Sequence, residues 1–448
     1  MTQSGDRHPK GLYVLFATEM WERFSFYSMI ALFTLYLRDP VEGFGWEAKD
    51  ATTLYANYIM FVYLSPLIGG WLADKFLGYR RAVMIGGFFF MAGHLLLSIQ
   101  SLPVVYLALA CLVIGNGFFK PNVSTMVGNL YPEGSHLKDR AYNIFYMGIN
   151  IGAAAAPIVA EVVKAYFGVH VAFAVAAFGM LISVWILWQF KQYIEEPAPA
   201  PAKPAEFDFE KALATVDVPP PTSSKPGPQA IDLVPDNRRM GALVVIYLVV
   251  IVFWMVFHQN GSTMTYWADE NTAWNVSGTL SNFINPAWVI LLTFPLVGFW
   301  KWLDSKGMEP ATPTKMVFGM IFTGLAFLIL FVAAKVGEAS VTGADPYAFE
   351  VSPLWLVGAY GVLTLGELML SPMGLSLVSK VAPVSKRGLM MGGWFVATGI
   401  GNKLTQIGVF WTQWLHSTFW LMLAVAALIM SVVLFFLLKP LKKAMPGI

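Results

Sequence analysis

The sequence predicts an all-α polytopic membrane protein in which twelve transmembrane helices form two six-helix bundles around a central cavity. Of its 448 residues, 57% are hydrophobic and only 12% are charged, whereas soluble domains carry about 25% charged residues. Apolar runs of about 20 residues, long enough to cross a bilayer as a helix, recur along the whole chain. Strands of a transmembrane barrel would instead give short alternating segments. A Pro/Ala-rich stretch separates six of these runs from six more.

The apolar runs define the order of the predicted helices. The first run is too long and too charged for a cleaved signal peptide, so we expect it to remain as the first spanning helix. The twelve helices are predicted near residues 11–37, 52–73, 81–100, 103–130, 140–167, 170–190, 240–267, 279–303, 313–335, 352–381, 387–414 and 417–438.

The lysines and arginines orient these helices in the membrane. Most of the 29 basic residues fall in alternate loops, beginning with the N-terminal segment. The opposite loops and helix ends contain Arg38, Lys49, Lys164 and Lys335. Because cytoplasmic loops carry an excess of Lys and Arg, we expect both termini to be cytoplasmic. We assign the protein to the plasma membrane, namely a bacterial inner membrane.

The middle of the chain divides it into three parts. Residues 1–194 are predicted to form an N-terminal bundle and residues 239–448 a C-terminal bundle. Residues 195–238 are rich in Pro and Ala, so they are predicted to form an extended cytoplasmic linker. The halves also resemble each other: the stretch Pro66–Asp74 has a counterpart in Pro295–Asp304. Two such repeats around a midplane site are typical of transporters.

Three charged residues lie inside the first predicted helix. Glu19, Glu22 and Arg23 interrupt a run that is otherwise apolar. Each charge at mid-membrane costs roughly 2.5–3.5 kcal/mol, which makes idle charges there improbable. Residues three and four apart share one side of a helix, and that side cannot face lipid. We therefore expect the three charges to face a watery cavity or the interior of a bundle.

Equivalent helices of the two halves carry the other polar residues. Lys120 lies on the fourth helix, His258 on the seventh and Glu367 on the tenth. A shared central cavity explains why these residues converge. A cation in one half and an anion in the other would form a dipolar site, which suits a zwitterion with separated ends. The alternative is that each charge only locks two helices together.

Several chemistries are disfavoured. The stretch Gly115–Asn122 contains glycines and a lysine, but its spacing and Pro121 do not fit a phosphate-binding loop. No HExxH or paired CxxC motif occurs, so we expect no metal and no cofactor. The one cysteine, Cys111, excludes an intrachain disulfide. Because no nucleophile–base pair can be identified, we expect a protein that is not an enzyme. We also expect no nucleic-acid partner.

Five motifs resemble those of the proton-dependent oligopeptide transporters, a branch of the major facilitator superfamily. The first, EMWERFSFY, resembles the ExxERFxYY signature of that family. The others resemble the loop between helices two and three and the motifs of helices four, five and ten. The five stretches are Glu19–Tyr27, Gly69–Arg81, Gly117–Asn122, Phe145–Gly152 and Glu367–Gly374. The resemblance spans nearly the whole chain and implies the major facilitator fold.

The resemblance also implies residue roles. Glu19, Glu22 and Arg23 would couple protons, and Arg23 with Lys120 would bind the carboxylate of a peptide. The residues that would bind its amino terminus are Asn150, Asn285 and Glu367. The aromatic residues that would line its side-chain pockets are Tyr27, Tyr63, Trp254 and Trp394. We add His258 to the substrate-contacting residues.

The chain departs from the family pattern at four positions. Phe26 stands where the signature has its first tyrosine, and Ser28 where glycine usually follows. Ile30 and His258 stand where many members have an arginine and an acid that pair across the cavity. Losing both residues removes a salt bridge without stranding a buried charge.

The predicted function is therefore the import of di- and tripeptides with protons by alternating access, by a protein that works as a monomer in the lipid bilayer. One alternative is a transporter of the same fold for another small solute, such as an amino acid derivative, a nitrate-like anion or a drug. The other is a membrane channel or sensor. Saturable, accumulative peptide uptake would exclude both.

Overall fold

A computed structural model describes residues 8–132, 135, 137–194, 230–274, 281, 283–343 and 345–446. In these residues the regular structure is helical, apart from an isolated bridge between Thr272 and Val351. Twelve long helices follow one another, which confirms the predicted all-α class. They are α1 (Lys10–Arg38), α2 (Ala48–Leu72), α3 (Tyr79–Leu97), α4 (Leu102–Asn129), α5 (Leu137–Phe167), α6 (Val169–Gln189), α7 (Asp236–Phe257), α8 (Ile284–Ser305), α9 (Thr312–Ser340), α10 (Pro353–Val381), α11 (Arg387–Leu404) and α12 (His416–Ala444).

Hydropathy explains why most of these segments span a membrane. Ten helical segments of the described chain are long and apolar enough to cross a bilayer. The two other long helices are α1, which carries its charges in the middle, and α11, which has 18 residues and a cation at or near each end. Both pack inside the bundle, where neighbouring helices replace lipid. The chain is therefore an integral membrane protein.

Local sequence accounts for several helix ends. Gly78 and Gly168 have φ of 74° and 85°, values that suit glycine, and they form the tight turns before α3 and α6. Ser352 caps α10, because its hydroxyl accepts a hydrogen bond from the backbone N–H of Leu354 at 3.3 Å. These short turns keep consecutive helices antiparallel.

Two predicted helices are shorter than expected. The seventh was predicted to continue to residue 267, but α7 ends at Phe257 and passes through a 3₁₀ turn, His258–Gly261, into a short helix, Thr263–Glu270. The eleventh was predicted to reach residue 414, but α11 ends at Leu404 and a 3₁₀ segment follows. The break after α7 falls on polar residues and a glycine, where the backbone leaves the α-helical hydrogen-bond pattern and forms a 3₁₀ turn.

Glycines allow the closest helix contacts. A side chain at Gly69 on α2 would collide with the backbone of Gly117 on α4. A side chain at Gly70 would collide with Gly388 on α11. The first contact lies within one half of the chain, and the second joins the two halves. Helix α2 therefore packs tightly on both sides, as small residues permit in membrane proteins.

The helix contacts fall into two groups that agree with the sequence repeat. Helix α1 packs on α5 and α6, and α3 packs on α4; in the second half, α9 packs on α10 and α12. The main contacts between the halves are α2 with α11 and α5 with α8. Residues 195–229, most of the predicted linker, lie outside the described residues, so the three-part division stays a prediction.

Candidate functional site

A cavity of about 890 Å³ lies between the two halves. Helices of both halves line it, as the sequence repeat predicts for a midplane site. Ten of the twelve predicted site residues lie on its wall. These ten are Glu19, Tyr27, Tyr63, Lys120, Asn150, Trp254, His258, Asn285, Glu367 and Trp394. The other two, Glu22 and Arg23, lie behind the wall on α1.

The charges of α1 form a compact ion-paired group. Nε and Nη2 of Arg23 each donate a 2.5 Å hydrogen bond to the carboxylate of Glu22. Nε also lies 3.3 Å from Oε1 of Glu19. All three side chains are buried, and Arg23 additionally packs over the ring of Phe26 at 4.9 Å. One guanidinium thus pairs with two carboxylates, as expected from the helical spacing.

Glu19 is the member of this group that reaches the cavity. It lines the cavity wall, while Glu22 holds the guanidinium of Arg23 with both oxygens. Its Oε2 is buried and accepts no hydrogen bond within the described part of the chain. A buried carboxylate oxygen without a donor is costly. Glu19 is therefore positioned to take up a proton or to accept a bond from a group that enters the cavity.

Lys120 places a cation in the same half of the cavity. Its Nζ lies 5.2 Å from the ring centroid of Phe395 on α11, a cation–π contact between the halves. Among the described residues, no ion pair or hydrogen bond of this ammonium is found. An entering carboxylate can therefore bind it without displacing a protein partner.

Glu367 is the anion of the opposite half. Its Oε1 accepts a 2.5 Å hydrogen bond from the hydroxyl of Tyr146 on α5, and its Oε2 accepts a 2.8 Å bond from the amide of Asn285 on α8. The Asn285 amide is shared with Thr364 at 3.0 Å. Glu367 has no cationic partner in the described part of the chain, so its negative charge is available to an ammonium group.

Tyr146 was not among the predicted site residues. It lines the cavity and joins α5 to α10 through its bond to Glu367. The signal was present, because Tyr146 precedes the predicted Asn150 by four residues and so shares its helix face. The amide of Asn150 donates to the backbone carbonyl of Tyr146 at 3.0 Å. Phe395 was also missed; nothing in the sequence brings it next to Lys120.

Aromatic residues form much of the remaining wall. Trp254 on α7 and His258, in the 3₁₀ turn that follows α7, stack with centroids 4.9 Å apart and an interplanar angle of 22°. The indole N–H of Trp254 is buried and has no hydrogen-bond acceptor in the described residues. Trp394 on α11 packs edge-on against Tyr247. These rings give the cavity a largely apolar surface in addition to its charges, as small-molecule sites usually have.

The four departures from the family pattern have definite places. Phe26 lies under Arg23, and Ser28 on α1 donates to the carbonyl of Ala156 on α5 at 3.4 Å. Ile30 packs against the apolar core. His258 lines the cavity and caps the end of α7. At the two positions where many family members have a cross-cavity pair, this chain therefore has apolar packing at Ile30 and a ring stack at His258.

A buried ionic cluster closes the predicted cytoplasmic end of the cavity. Asp139 on α5 accepts bonds of 2.6 Å from both Lys315 on α9 and Lys380 on α10. The neighbouring Arg140 binds Asp304 and Glu309 at 2.7 and 2.8 Å. Asp139 and both lysines are at most 3% exposed. The cluster consequently links α5 of the first half to three helices of the second half, α8, α9 and α10, and to the loop that contains Glu309.

The repeated motif supplies a second set of contacts at this end. Asp74, which follows α2, accepts bonds from the backbone N–H groups of Gly388 and Leu389 at 2.8 and 2.7 Å. It thereby caps the N-terminus of α11 in the other half. Asp304, its counterpart in the repeat, pairs with Arg140 in the first half. The equivalent aspartates of the two halves thus each contact the other half at this end.

Comparisons with known proteins agree with this fold. A family model described as the POT family matches residues 80–215 and 211–428. A di-/tripeptide transporter of Lactococcus lactis subsp. cremoris is 29% identical over 98% of this chain and 96% of its own length. The peptide transporter YePEPT of Yersinia enterocolitica is 30% identical over 95% and 94% of the two chains.

Solved structures are similar over the same length. A crystal structure of a mutant peptide transporter POT in complex with alafosfalin has a TM-score of 0.68 and 30% identity, and the match covers 99% of this chain and 97% of that one. The twelve helices, the central cavity and the family match over most of the sequence lead to one assignment: the chain belongs to the POT family of transporters.

Proposed function

We propose that this chain is a symporter that imports di- and tripeptides together with protons by alternating access. The observation that carries the proposal is that the two halves place opposite charges on the wall of one cavity. Lys120 lies on the wall formed by the first half and Glu367 on the wall formed by the second. The solute that fits such a site has a carboxylate at one end and an ammonium at the other.

The cavity suits a short peptide in both size and surface. Its volume of about 890 Å³ lies within the usual 300–1,000 Å³ range of ligand pockets. The peptide carboxylate binds Lys120, and its ammonium binds Glu367 beside Asn285. The aromatic residues of α7 and α11 then face the peptide side chains, and Asn150 on α5 is assigned to the peptide amino terminus together with Asn285 and Glu367. The related transporters that are named for di- and tripeptides support this assignment.

The ion-paired group on α1 supplies the coupling to protons. Arg23 pairs with both Glu19 and Glu22 in this structure. When a peptide carboxylate attracts Arg23, one of these carboxylates loses its counter-ion. A buried unpaired charge is strongly unfavourable, so the released carboxylate becomes neutral by binding a proton. Peptide binding thereby favours proton binding, and the same state of the protein contains both the peptide and the proton.

We infer the direction of access from the contacts at the predicted cytoplasmic end. The Asp139 cluster and the two repeated aspartates join the halves at that end, while the cavity wall extends to Ile158, Gly261 and Phe283 toward the opposite end. We infer that peptide enters from outside in this state and leaves after the cluster opens. The orientation with both termini cytoplasmic, the bacterial inner membrane and the monomeric working unit are part of the same proposal.

Substrate exchange tests the substrate class separately from proton coupling. Purified protein is reconstituted into liposomes loaded with unlabelled dialanine, and entry of labelled dialanine is followed without a pH gradient. We expect saturable exchange that dipeptides and tripeptides inhibit and that free alanine, nitrate and N-acetylated dialanine do not. Equal inhibition by nitrate or by the N-acetylated peptide would favour a transporter of another solute. Unsaturable entry would favour a channel.

A further inference from the structure

A second cavity lies on the outside of the first half, at the predicted cytoplasmic ends of α3 and α6. It has a volume of about 350 Å³. Its floor includes Met84 on α3 and Leu187 and Trp188 on α6, and Arg80, Arg81 and Lys191 stand around it. None of these residues lines the central cavity. We call this cavity the α3–α6 groove.

The charge of the groove has one sign. Among the described residues that line it are three cations and no carboxylate. Arg80 and Arg81 belong to the first turn of α3, which begins at Tyr79, so the positive end of the helix dipole adds to their charge. Lys191 follows α6, and its Nζ lies 5.7 Å from the centroid of the Trp188 ring. The groove is therefore suited to an anionic group.

The floor of the groove is apolar and lies on an outward-facing helix surface. Trp188 is 56% exposed and Trp185, on the same helix, is 52% exposed. Exposed tryptophans near a helix end are typical of the membrane–water interface. Met84 and Ile85, which are partly exposed, continue the floor toward the middle of α3. An occupant thus meets cations at the interface and hydrocarbon-like side chains deeper in the membrane.

We propose that the α3–α6 groove binds an anionic phospholipid of the cytoplasmic leaflet. The phosphate contacts Arg80, Arg81 and Lys191, and an acyl chain lies along Met84 and Ile85. Basic pockets between transmembrane helices on the cytoplasmic side suit such headgroups. A free phosphate would satisfy the cations but would leave the apolar floor unused, which is why the lipid is the assigned occupant.

Native mass spectrometry of lipid-stripped protein in detergent tests the proposal, with phosphatidylglycerol and phosphatidylcholine of equal chain length as probes. We expect preferential retention of phosphatidylglycerol. Each cation near an anionic headgroup contributes about fivefold in affinity, so the triple variant R80Q/R81Q/K191Q is expected to lose about 100-fold of that preference. The matched control removes three exposed cations of α12 by K439Q/K442Q/K443Q and is expected to keep it. Equal losses in both variants would overturn the proposal.

Two further measurements separate the lipid from other occupants. Phosphatidylglycerol with brominated acyl chains quenches nearby tryptophans, and we expect W188F to remove part of this quenching in otherwise unaltered protein. Inorganic phosphate at millimolar concentration is expected not to displace the lipid. Identical quenching in W188F and the unsubstituted protein would overturn the proposal. Displacement by phosphate alone would also contradict it, by identifying a free-anion site.

Discussion

Tyr146 on α5 donates a 2.5 Å hydrogen bond to Oε1 of Glu367 on α10, so the two halves of the protein meet at a cavity carboxylate. The other oxygen of Glu367 accepts from Asn285 within the second half. Alternating access moves the halves relative to each other, and the first of these bonds is the one that such a movement must alter. In the proposed transport cycle, this bond would therefore connect occupancy of the proposed ammonium site to the arrangement of the halves.

Replacing Tyr146 by Phe is expected to weaken peptide binding. The change removes the phenol that holds Oε1 of Glu367, and a hydrogen bond to a charged group contributes about 1.5–3 kcal/mol. We expect the KM for dialanine exchange to rise about tenfold or more. Tyr142→Phe is the control, because it removes a bond to the carbonyl of Ser124 within one half. A KM that changes equally in both variants would contradict the role of Tyr146.

Replacing Glu22 by Gln is expected to separate exchange from proton-driven uptake. The variant keeps the size of the side chain but removes the charge that Arg23 binds with two hydrogen bonds. We expect dialanine exchange to persist within about twofold, while uptake driven by an inward proton gradient falls to background. Glu161→Gln, an exposed change on α5, should alter neither rate. Unchanged driven uptake in Glu22→Gln would remove this residue from the proton path.

Breaking the Asp139 cluster is expected to open the cytoplasmic end. Asp139→Asn leaves Lys380 without a carboxylate in the described residues, and losing one member of a buried pair costs about 3–5 kcal/mol. This cost destabilises the state in which the predicted cytoplasmic end is closed. With the native Cys111 replaced by Ser, a cysteine at the cavity residue Ser124 reports access. We expect an impermeant maleimide added from the cytoplasmic side to label it at least about tenfold faster.

The control for this experiment is Asp304→Asn. Asp304 is 46% exposed, and Arg140 keeps its bond to Glu309 when it is lost. An exposed ion pair contributes only about 0–1 kcal/mol, so labelling is expected to change by less than about fivefold. If Asp139→Asn labels no faster than this control, the cluster is not the closing element.

A pair of equivalent glycines is expected to respond differently to the same substitution. Gly69 and Gly298 occupy matching positions of the repeated motif. A side chain at Gly69 would collide with the backbone of Gly117, whereas one at Gly298 meets nothing within 4 Å. Overpacking costs about 1–3 kcal/mol, so Gly69→Ala should lower the unfolding temperature in detergent and Gly298→Ala should not. Equal shifts would contradict the close packing of α2 on α4.

The sequence alone predicts the helices and the charged group on α1 well, because both depend on neighbouring residues. Hydropathy identifies spans of about 20 residues, and helical spacing places Glu19, Glu22 and Arg23 together. The breaks after Phe257 and Leu404 were missed. Only a short polar stretch, residues 258–262, interrupts the apolar run at the end of α7, and local sequence does not reveal the tertiary bond that Gln259 donates to the carbonyl of Thr405 at 3.1 Å.

Contacts between the halves could not be predicted. Asp139 and Lys380 are 241 positions apart, and no local rule relates them. In the sequence, Lys315 and Lys380 counted only as basic residues of cytoplasmic loops, whereas in the structure both are buried in ion pairs. The same limit explains why Tyr146 and Phe395 were missed, since each acquires its role from a partner in the other half.

Uptake of labelled dialanine into proteoliposomes under an inward proton gradient tests the central claim most directly. One pH unit plus about 100 mV supplies roughly 3.7 kcal/mol per proton, enough for accumulation on the order of a few hundred-fold. We predict that dialanine accumulates above its outside concentration and that a protonophore abolishes this accumulation while exchange continues. Uptake that stops at equal concentrations on both sides, with or without the gradient, would contradict proton-coupled peptide import.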